Sequence, residues 1–240
     1  MNDALYRFIT GTLDAFLWGG ELIGEENLPE KGPAIFIANH LGPLGPIGSV
    51  CSLPQRLYPW IISNMVDPDQ AADWLQVDFT EKTLKLQPPA SKTLAKLLSK
   101  ITVPLLSNLG CIPVYHGYEK MQKTWTISLP LLLEGHFLLI CPEDPELPAD
   151  PMTHMTPFQK SFARLAEMYY EKTRKRLAFY PVAVHGSHRL KVGAPIFFNP
   201  LNPVGIERHR LKDWLEETVA RMYLELEQED FPVALAPVRK

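Results

Sequence analysis

The sequence predicts an α/β fold: a single domain in which a mixed, mostly parallel sheet is covered by helices. Short continuous apolar runs typical of buried strands, beginning with 34–38 (AIFIA), alternate with longer segments whose apolar residues repeat at helical spacing. Such alternation favours a largely parallel sheet with helices on its faces. The chain has 240 residues and 46% of them are hydrophobic, enough for one substantial core.

The first predicted element is an amphipathic helix over residues 3–18. Its apolar side chains are Leu5, Phe8, Ile9, Leu13, Phe16 and Leu17. Gly19-Gly20 ends the pattern, so we expect an N-terminal amphipathic helix at 1–19 and one domain at 20–240.

Strands and helices follow in alternation along the rest of the chain. Strands are predicted at 34–38, 58–63, 112–115, 137–141, 178–184 and 194–198. Helices are predicted at 91–103, 119–134, 155–175 and 208–227, with loop and short helix at 67–90 and a Gly/Pro-rich turn at 41–48. Pro113 predicts a sheet edge or a strand start for the third strand, because proline donates no ladder hydrogen bond.

Composition excludes several classes of protein. The net charge of -3 provides no general attraction for nucleic acid, and no nucleic-acid partner is expected. Cys51, Cys111 and Cys141 are odd in number and lie apart, which indicates reduced thiols in a cytoplasmic protein. The acidic residues Asp3 and Asp14 argue against a signal peptide, and no apolar run is long enough to span a bilayer. A peripheral protein at the inner face of the membrane fits these features.

Asn39-His40 is the first candidate site. The pair follows a buried strand and precedes a glycine-rich turn, at the sheet edge where open α/β folds bind ligands. A histidine there suits a general base acting on an alcohol, because its pKa lies near neutrality.

Six sequence blocks carry a resemblance to a known family. They are GEENLPEKGPAIFIANHLGPLGP at 24–46, GCIPV at 110–114, LICPE at 139–143, FQKS at 158–161, YPVAV at 180–184 and VGAPI at 192–196. In this order and spacing they resemble the 1-acylglycerol-3-phosphate acyltransferases of phospholipid biosynthesis, whose first block ends in Asn-His-x-x-x-x-Asp.

The resemblance implies transfer of an acyl group from acyl-CoA or acyl carrier protein to a glycerolipid alcohol. His40, next to Asn39, would deprotonate the hydroxyl, and no metal or prosthetic group would be needed. The acyl thioester donor and membrane lipids are the implied partners in this part of lipid metabolism. The substrate-binding residues expected from the matched blocks and the loop after the fifth strand are Gly110, His116, Glu143, Lys160 and Arg189.

The sequence departs from the family pattern where charge matters most. Gly45 stands at the position of the Asp that orients the family's histidine. Glu146 stands where the third block has a phosphate-binding arginine, and Asp144 adds a further negative charge. This loop would repel a phosphate.

Three interpretations remain open from the sequence. The chain is an acyltransferase with an acceptor other than a lysophosphatidate, its His40 oriented by a backbone carbonyl or another loop's carboxylate. Alternatively, it is an inactive relative that binds lipids, or it is a hydrolase or thioesterase that uses His40. If His40 is catalytic but poorly oriented, Gly45→Asp is expected to raise activity.

A basic amphipathic helix is the second candidate site. No acidic residue occurs from Lys82 to Tyr118, whereas five lysines do. Two neighbouring faces are expected to contact the membrane: one carries Lys92, Lys96 and Lys100, and the other carries Leu94, Leu97, Leu98 and Ile101. Lysines beside an apolar face suit an anionic bilayer surface.

Overall fold

A computed structural model describes residues 3–115 and 117–230. Its strands are β1 Glu21–Ile23, β2 Ala34–Ala38, β3 Leu57–Ile62, β4 Ile112–Val114, β5 Phe137–Ile140, β6 Ala178–His185, β7 Arg189–Val192 and β8 Ile196–Phe197. Its α-helices are α1 Asp3–Leu13, α2 Leu44–Ser52, α3 Ala71–Trp74, α4 Ala90–Leu109, α5 Tyr118–Leu133, α6 Arg164–Thr173 and α7 Val204–Asp230. Two π-helical segments, Asp14–Trp18 and Leu75–Glu81, continue α1 and α3.

The strands form one mixed, mostly parallel sheet, as the sequence predicts. Within the described ranges the order is β1-β7-β6-β2-β5-β3-β4, and β8 pairs with β6 outside this path. Strands β2 to β6 are parallel, whereas β7 and β8 run antiparallel to β6. The parallel strands therefore all end at one edge of the sheet, and His40 follows β2 at that edge.

The alternation of side chains along β2 divides the core between the two faces of the sheet. Ile35 and Ile37 pack with α5, α6 and α7, whereas Phe36 packs with α1, α2 and the end of α4. All five residues of β2 are buried, as expected for the middle strand of a sheet covered on both sides.

Two aromatic side chains of the N-terminal helical segment make hydrogen bonds to the rest of the domain. The Tyr6 hydroxyl accepts a hydrogen bond from the Leu57 amide at 3.1 Å, and the Trp18 indole donates one to Ser52 Oγ at 2.6 Å. The apolar face predicted at 3–18 lies mostly on the outside, with Phe8 72% and Phe16 82% exposed.

Three sequence-based expectations about elements need correction. The glycine-rich turn at 41–48 is a short turn followed by α2, and β1 and β7 were not expected. The helix expected at 155–175 is α6 alone, preceded by a 3₁₀ turn over Ser161–Ala163, because Phe158 pairs with Glu143 and the Gln159 amide bonds to the Pro142 carbonyl. These long-range contacts override the local helical pattern. Pro113 does lie in an edge strand, as predicted.

Among the helices of the described ranges, none is long and apolar enough to cross a membrane.

Candidate active site

His40 lies at the carboxyl edge of the sheet in a tight backbone turn. The residue is exposed, and Leu41 after it has a φ of +36°, a conformation that residues with a side chain rarely adopt. Gly42 continues the turn with a φ of +59° before α2 begins at Leu44. Backbone strain of this kind persists where the surrounding structure enforces it, and it clusters at functional sites.

Asn39 joins the end of β2 to the neighbouring strand β6. Its side-chain amide donates to the Val184 carbonyl at 2.9 Å, and its Oδ1 accepts from the Val184 amide at 2.7 Å. The residue is 1% exposed. The expected catalytic pair thus divides into a buried anchor and an exposed imidazole.

Glu143 is the carboxylate that reaches the His40 loop. Its Oε1 accepts a hydrogen bond from the His40 backbone amide at 2.5 Å. Its Oε2 accepts from the amide and hydroxyl of Thr156 at 2.9 and 3.3 Å. Sequence reasoning found Glu143 but missed Thr156, since no local pattern links that loop residue to the site.

Two opposing effects determine the charge state of His40. Although the residue reaches the surface, many protein atoms surround it, and this desolvation lowers the pKa of His40 below its ordinary value. The negative charge of Glu143 and a hydrogen bond to the backbone of Gly42 act in the opposite direction. This direction of the Gly42 effect is the one expected of a backbone carbonyl oxygen close to the imidazole. His40 is therefore mainly neutral at pH 7, as a base must be.

Gly45 is required by a close backbone approach. A Cβ built at this position would lie 2.2 Å from the His40 carbonyl oxygen and 2.3 Å from that of Asn39. The Gly45 amide donates to the same His40 oxygen at 3.0 Å, which ties the start of α2 to the histidine loop. An aspartate here therefore requires the backbone to move, so the substitution expected to raise activity if His40 is poorly oriented meets a steric obstacle.

The loop after β5 carries several carboxylates. Asp144 accepts a hydrogen bond from the Glu146 amide at 3.1 Å, and Glu146 is exposed. Asp150 accepts from the amides of Met152 and Thr153, and these bonds lower its pKa. The side of the site that contains Glu143 is thus negatively charged.

The structure does not bring all the expected substrate-binding residues to His40. Gly110 precedes β4 at the opposite edge of the sheet, where it ends α4 in a left-handed conformation (φ +83°). Lys160 Nζ lies 2.8 Å from His209 Nε2 on α7. Arg189 starts β7 and donates to the Leu226 carbonyl of α7. His116 lies outside the described residues.

The expected membrane-contact helix divides into inward and outward faces. Ser91, Ala95 and Leu109 are buried, whereas Leu94 and Leu98 are half-buried. Leu97 is 59% and Ile101 62% exposed. Lys92, Lys96 and Lys100 are also exposed. The outer surface of α4 is therefore a basic stripe beside an apolar one.

Comparisons with known proteins support the fold. No protein-family model matches the chain, and no curated protein matches it significantly. Among solved structures, the chain is similar to the 1-acyl-sn-glycerophosphate (LPA) acyltransferase PlsC from Thermotoga maritima, with a TM-score of 0.57 and 13% identity over 95% of this chain and 84% of that one. At this identity the likeness establishes a shared fold: a single α/β domain with a mostly parallel sheet flanked by helices.

Proposed function

We propose that this chain is a divergent member of the 1-acylglycerol-3-phosphate acyltransferase family that transfers an acyl group from an acyl thioester to a lipid alcohol. The observation that carries the proposal is the position of His40: an exposed imidazole with a lowered pKa, beside Glu143 at the carboxyl edge of the sheet. The fold shared with PlsC and the order of the sequence blocks support it.

The chemistry assigned to His40 is general-base catalysis. The neutral imidazole takes the proton of the acceptor hydroxyl while the oxygen attacks the thioester carbonyl, forming a C–O bond. The C–S bond then breaks, and the departing thiolate takes the proton from the imidazolium. The products are an ester and a free thiol, either CoA or the carrier-protein thiol.

Glu143 would stabilise the transition state through its charge. The imidazole becomes positive as it takes the proton, and a nearby carboxylate favours that form. Glu143 binds the backbone of His40, so the Gly42 carbonyl is left to orient the ring. Together they would replace the aspartate for which Gly45 leaves no space.

The charge of the loop after β5 favours an acceptor without a phosphate monoester next to the reacting hydroxyl. Asp144 and Glu146 adjoin Glu143 in this loop, and like charges repel a phosphate. Lys160 and Arg189 instead contact α7. We infer a lysolipid or lipid alcohol with a neutral or zwitterionic headgroup.

We also propose that the reaction takes place at an anionic membrane surface. The exposed apolar residues of α1 and α4 belong to helices that pack on the same face of the sheet. The lysines of α4 would attract anionic headgroups, and Leu97 and Ile101 would enter the interface. The protein would then be peripheral at the inner leaflet.

The test is an acceptor panel presented in mixed vesicles with a labelled long-chain acyl-CoA or acyl carrier protein, with products identified by mass spectrometry. We expect ester formation with a neutral or zwitterionic lysolipid and a lower kcat/KM for lysophosphatidate. No product from any acceptor with either donor would instead support an inactive, lipid-binding relative.

A further inference from the structure

A second group of catalytic residue types lies at the carboxyl edge of β6, the strand next to β2. Ser187 Oγ is 2.7 Å from His185 Nδ1, and His185 Nε2 is 2.5 Å from Glu227 Oε2 on α7. Serine, histidine and carboxylate are thus hydrogen-bonded in series, the arrangement that activates the nucleophile of serine hydrolases.

The surrounding contacts indicate which ring nitrogen of neutral His185 carries the proton. The Ser187 backbone amide donates to His185 Nδ1 at 3.2 Å, so Nδ1 is an acceptor and carries no proton. The ring proton therefore lies on Nε2 and is donated to Glu227. This tautomer leaves Nδ1 able to accept the Ser187 hydroxyl proton.

Burial and exposure are arranged as a nucleophile requires. His185 is 6% exposed, and its ring is held edge-on against Tyr223 at a centroid distance of 4.8 Å. Ser187, in contrast, is exposed. Among residues 3–115 and 117–230, no atom lies within 4 Å of a Cβ built at the neighbouring Gly186.

Arg189 places positive charge beside the same hydroxyl. Its Nε donates to Ser187 Oγ at 3.2 Å, while its Nη2 is fixed to the Leu226 carbonyl. A guanidinium that donates to the Ser187 oxygen favours the negative charge that this oxygen gains as it loses its proton.

We propose that Ser187, His185 and Glu227 form a second catalytic site that hydrolyses carboxylic esters or thioesters through an acyl-serine. Ser187 Oγ attacks the substrate carbonyl while His185 Nδ1 takes its proton, and the imidazolium is stabilised by Glu227. The bond to the leaving group breaks, and the alcohol or thiol departs with the proton from His185. Water, deprotonated by His185, then releases the carboxylic acid and regenerates Ser187. No step involves His40.

The experiment uses a fluorophosphonate, which phosphonylates activated serines with loss of fluoride, followed by peptide mass spectrometry. We expect modification of Ser187 in the wild-type protein, slowed at least about tenfold by His185→Ala or Glu227→Gln. Hydrolysis of p-nitrophenyl butyrate should fall at least about 100-fold in Ser187→Ala. Ser107→Ala, which removes an exposed serine of α4, should change neither readout.

His40→Ala separates this proposal from the acyltransferase proposal, because it should lower the kcat of transfer by about 10²–10⁴ and leave Ser187 labelling unchanged. If His185→Ala does not fold, Glu227→Gln carries the comparison, since the Glu227 side chain is 45% exposed. An unlabelled Ser187, or equal labelling rates in the wild type and Glu227→Gln, would overturn the proposal.

Discussion

The Glu143 carboxylate binds the backbone amide of His40 rather than its imidazole ring, at 2.5 Å. This contact fixes the loop that carries the histidine and keeps a negative charge near the ring. It also joins two segments far apart in sequence, the turn after β2 and the loop after β5.

Glu143→Gln should shift the pH dependence of acyl transfer towards acid. The reactive form of His40 is neutral, so activity is lost as pH falls through its pKa. Removing the Glu143 charge removes an effect that raises this pKa, so the acid limb of kcat/KM should move to lower pH. The maximal rate should fall roughly tenfold, less than the ~10⁴ lost when a serine protease loses its ring-bonded acid.

Glu146→Gln is the matched control, because Glu146 is an exposed carboxylate of the same loop. Its acid limb should stay in place. An equal shift in both variants would mean that the loop's overall charge, and not Glu143, controls His40.

Gly45→Asp should destabilise the protein rather than activate it. The new Cβ would lie 2.2 Å from the His40 carbonyl oxygen, so the start of α2 would have to move. We expect a loss of about 3 kcal/mol or more in the free energy of unfolding, measured in urea. Gly205→Ala is the control, because no atom of the described part of the chain lies within 4 Å of a Cβ there. A stable Gly45→Asp protein with raised activity would contradict the described backbone.

Asn39→Ala should lower stability as well as activity. The Val184 amide and carbonyl would both lose their partner in a buried site, at a cost of about 2–4 kcal/mol. Asn108→Ala removes an exposed amide that bonds within α4, and it should cost far less. Urea denaturation of both variants measures their free energies of unfolding. Similar losses in the two variants would contradict the anchoring role of Asn39.

Lys96→Glu combined with Lys100→Glu should weaken binding to vesicles that contain anionic lipid. Each lysine near such a surface contributes about 1 kcal/mol to binding, and the reversed charges would add repulsion. The affinity for anionic vesicles, measured by flotation, is therefore expected to fall about 100-fold. Lys120→Glu on α5, which packs on the opposite face of the sheet, serves as the control. Equal binding to neutral and anionic vesicles by the wild type would contradict the electrostatic part of this proposal.

Much of the fold could be predicted because its local patterns are strong. The apolar runs of β2, β5 and β6 are continuous, and their burial on both faces follows directly. In contrast, α2 is rich in glycine and proline, so its sequence resembles a turn. The short edge strand β1 depends on pairing with β7, which no local pattern encodes.

The site could be predicted only in part. Asn39, His40 and Glu143 follow the ends of adjacent parallel strands, and that relation is visible in the sequence. The role of Gly45 is not visible in the sequence, because it depends on the close approach of the start of α2 to the backbone of Asn39 and His40. Ser187, His185 and Glu227 meet only when α7 packs on β6, which places residues 42 positions apart within hydrogen-bond distance.

The most direct test of the central claim is acyl transfer by His40→Ala, measured beside the wild type and His136→Ala with the best acceptor of the panel. His136 follows α5 and pairs with Glu134, so its loss should leave kcat unchanged. If His40 is the general base, His40→Ala should lose about 10²–10⁴ in kcat while remaining folded. A folded His40→Ala protein that transfers acyl groups at the wild-type rate would contradict the proposed mechanism.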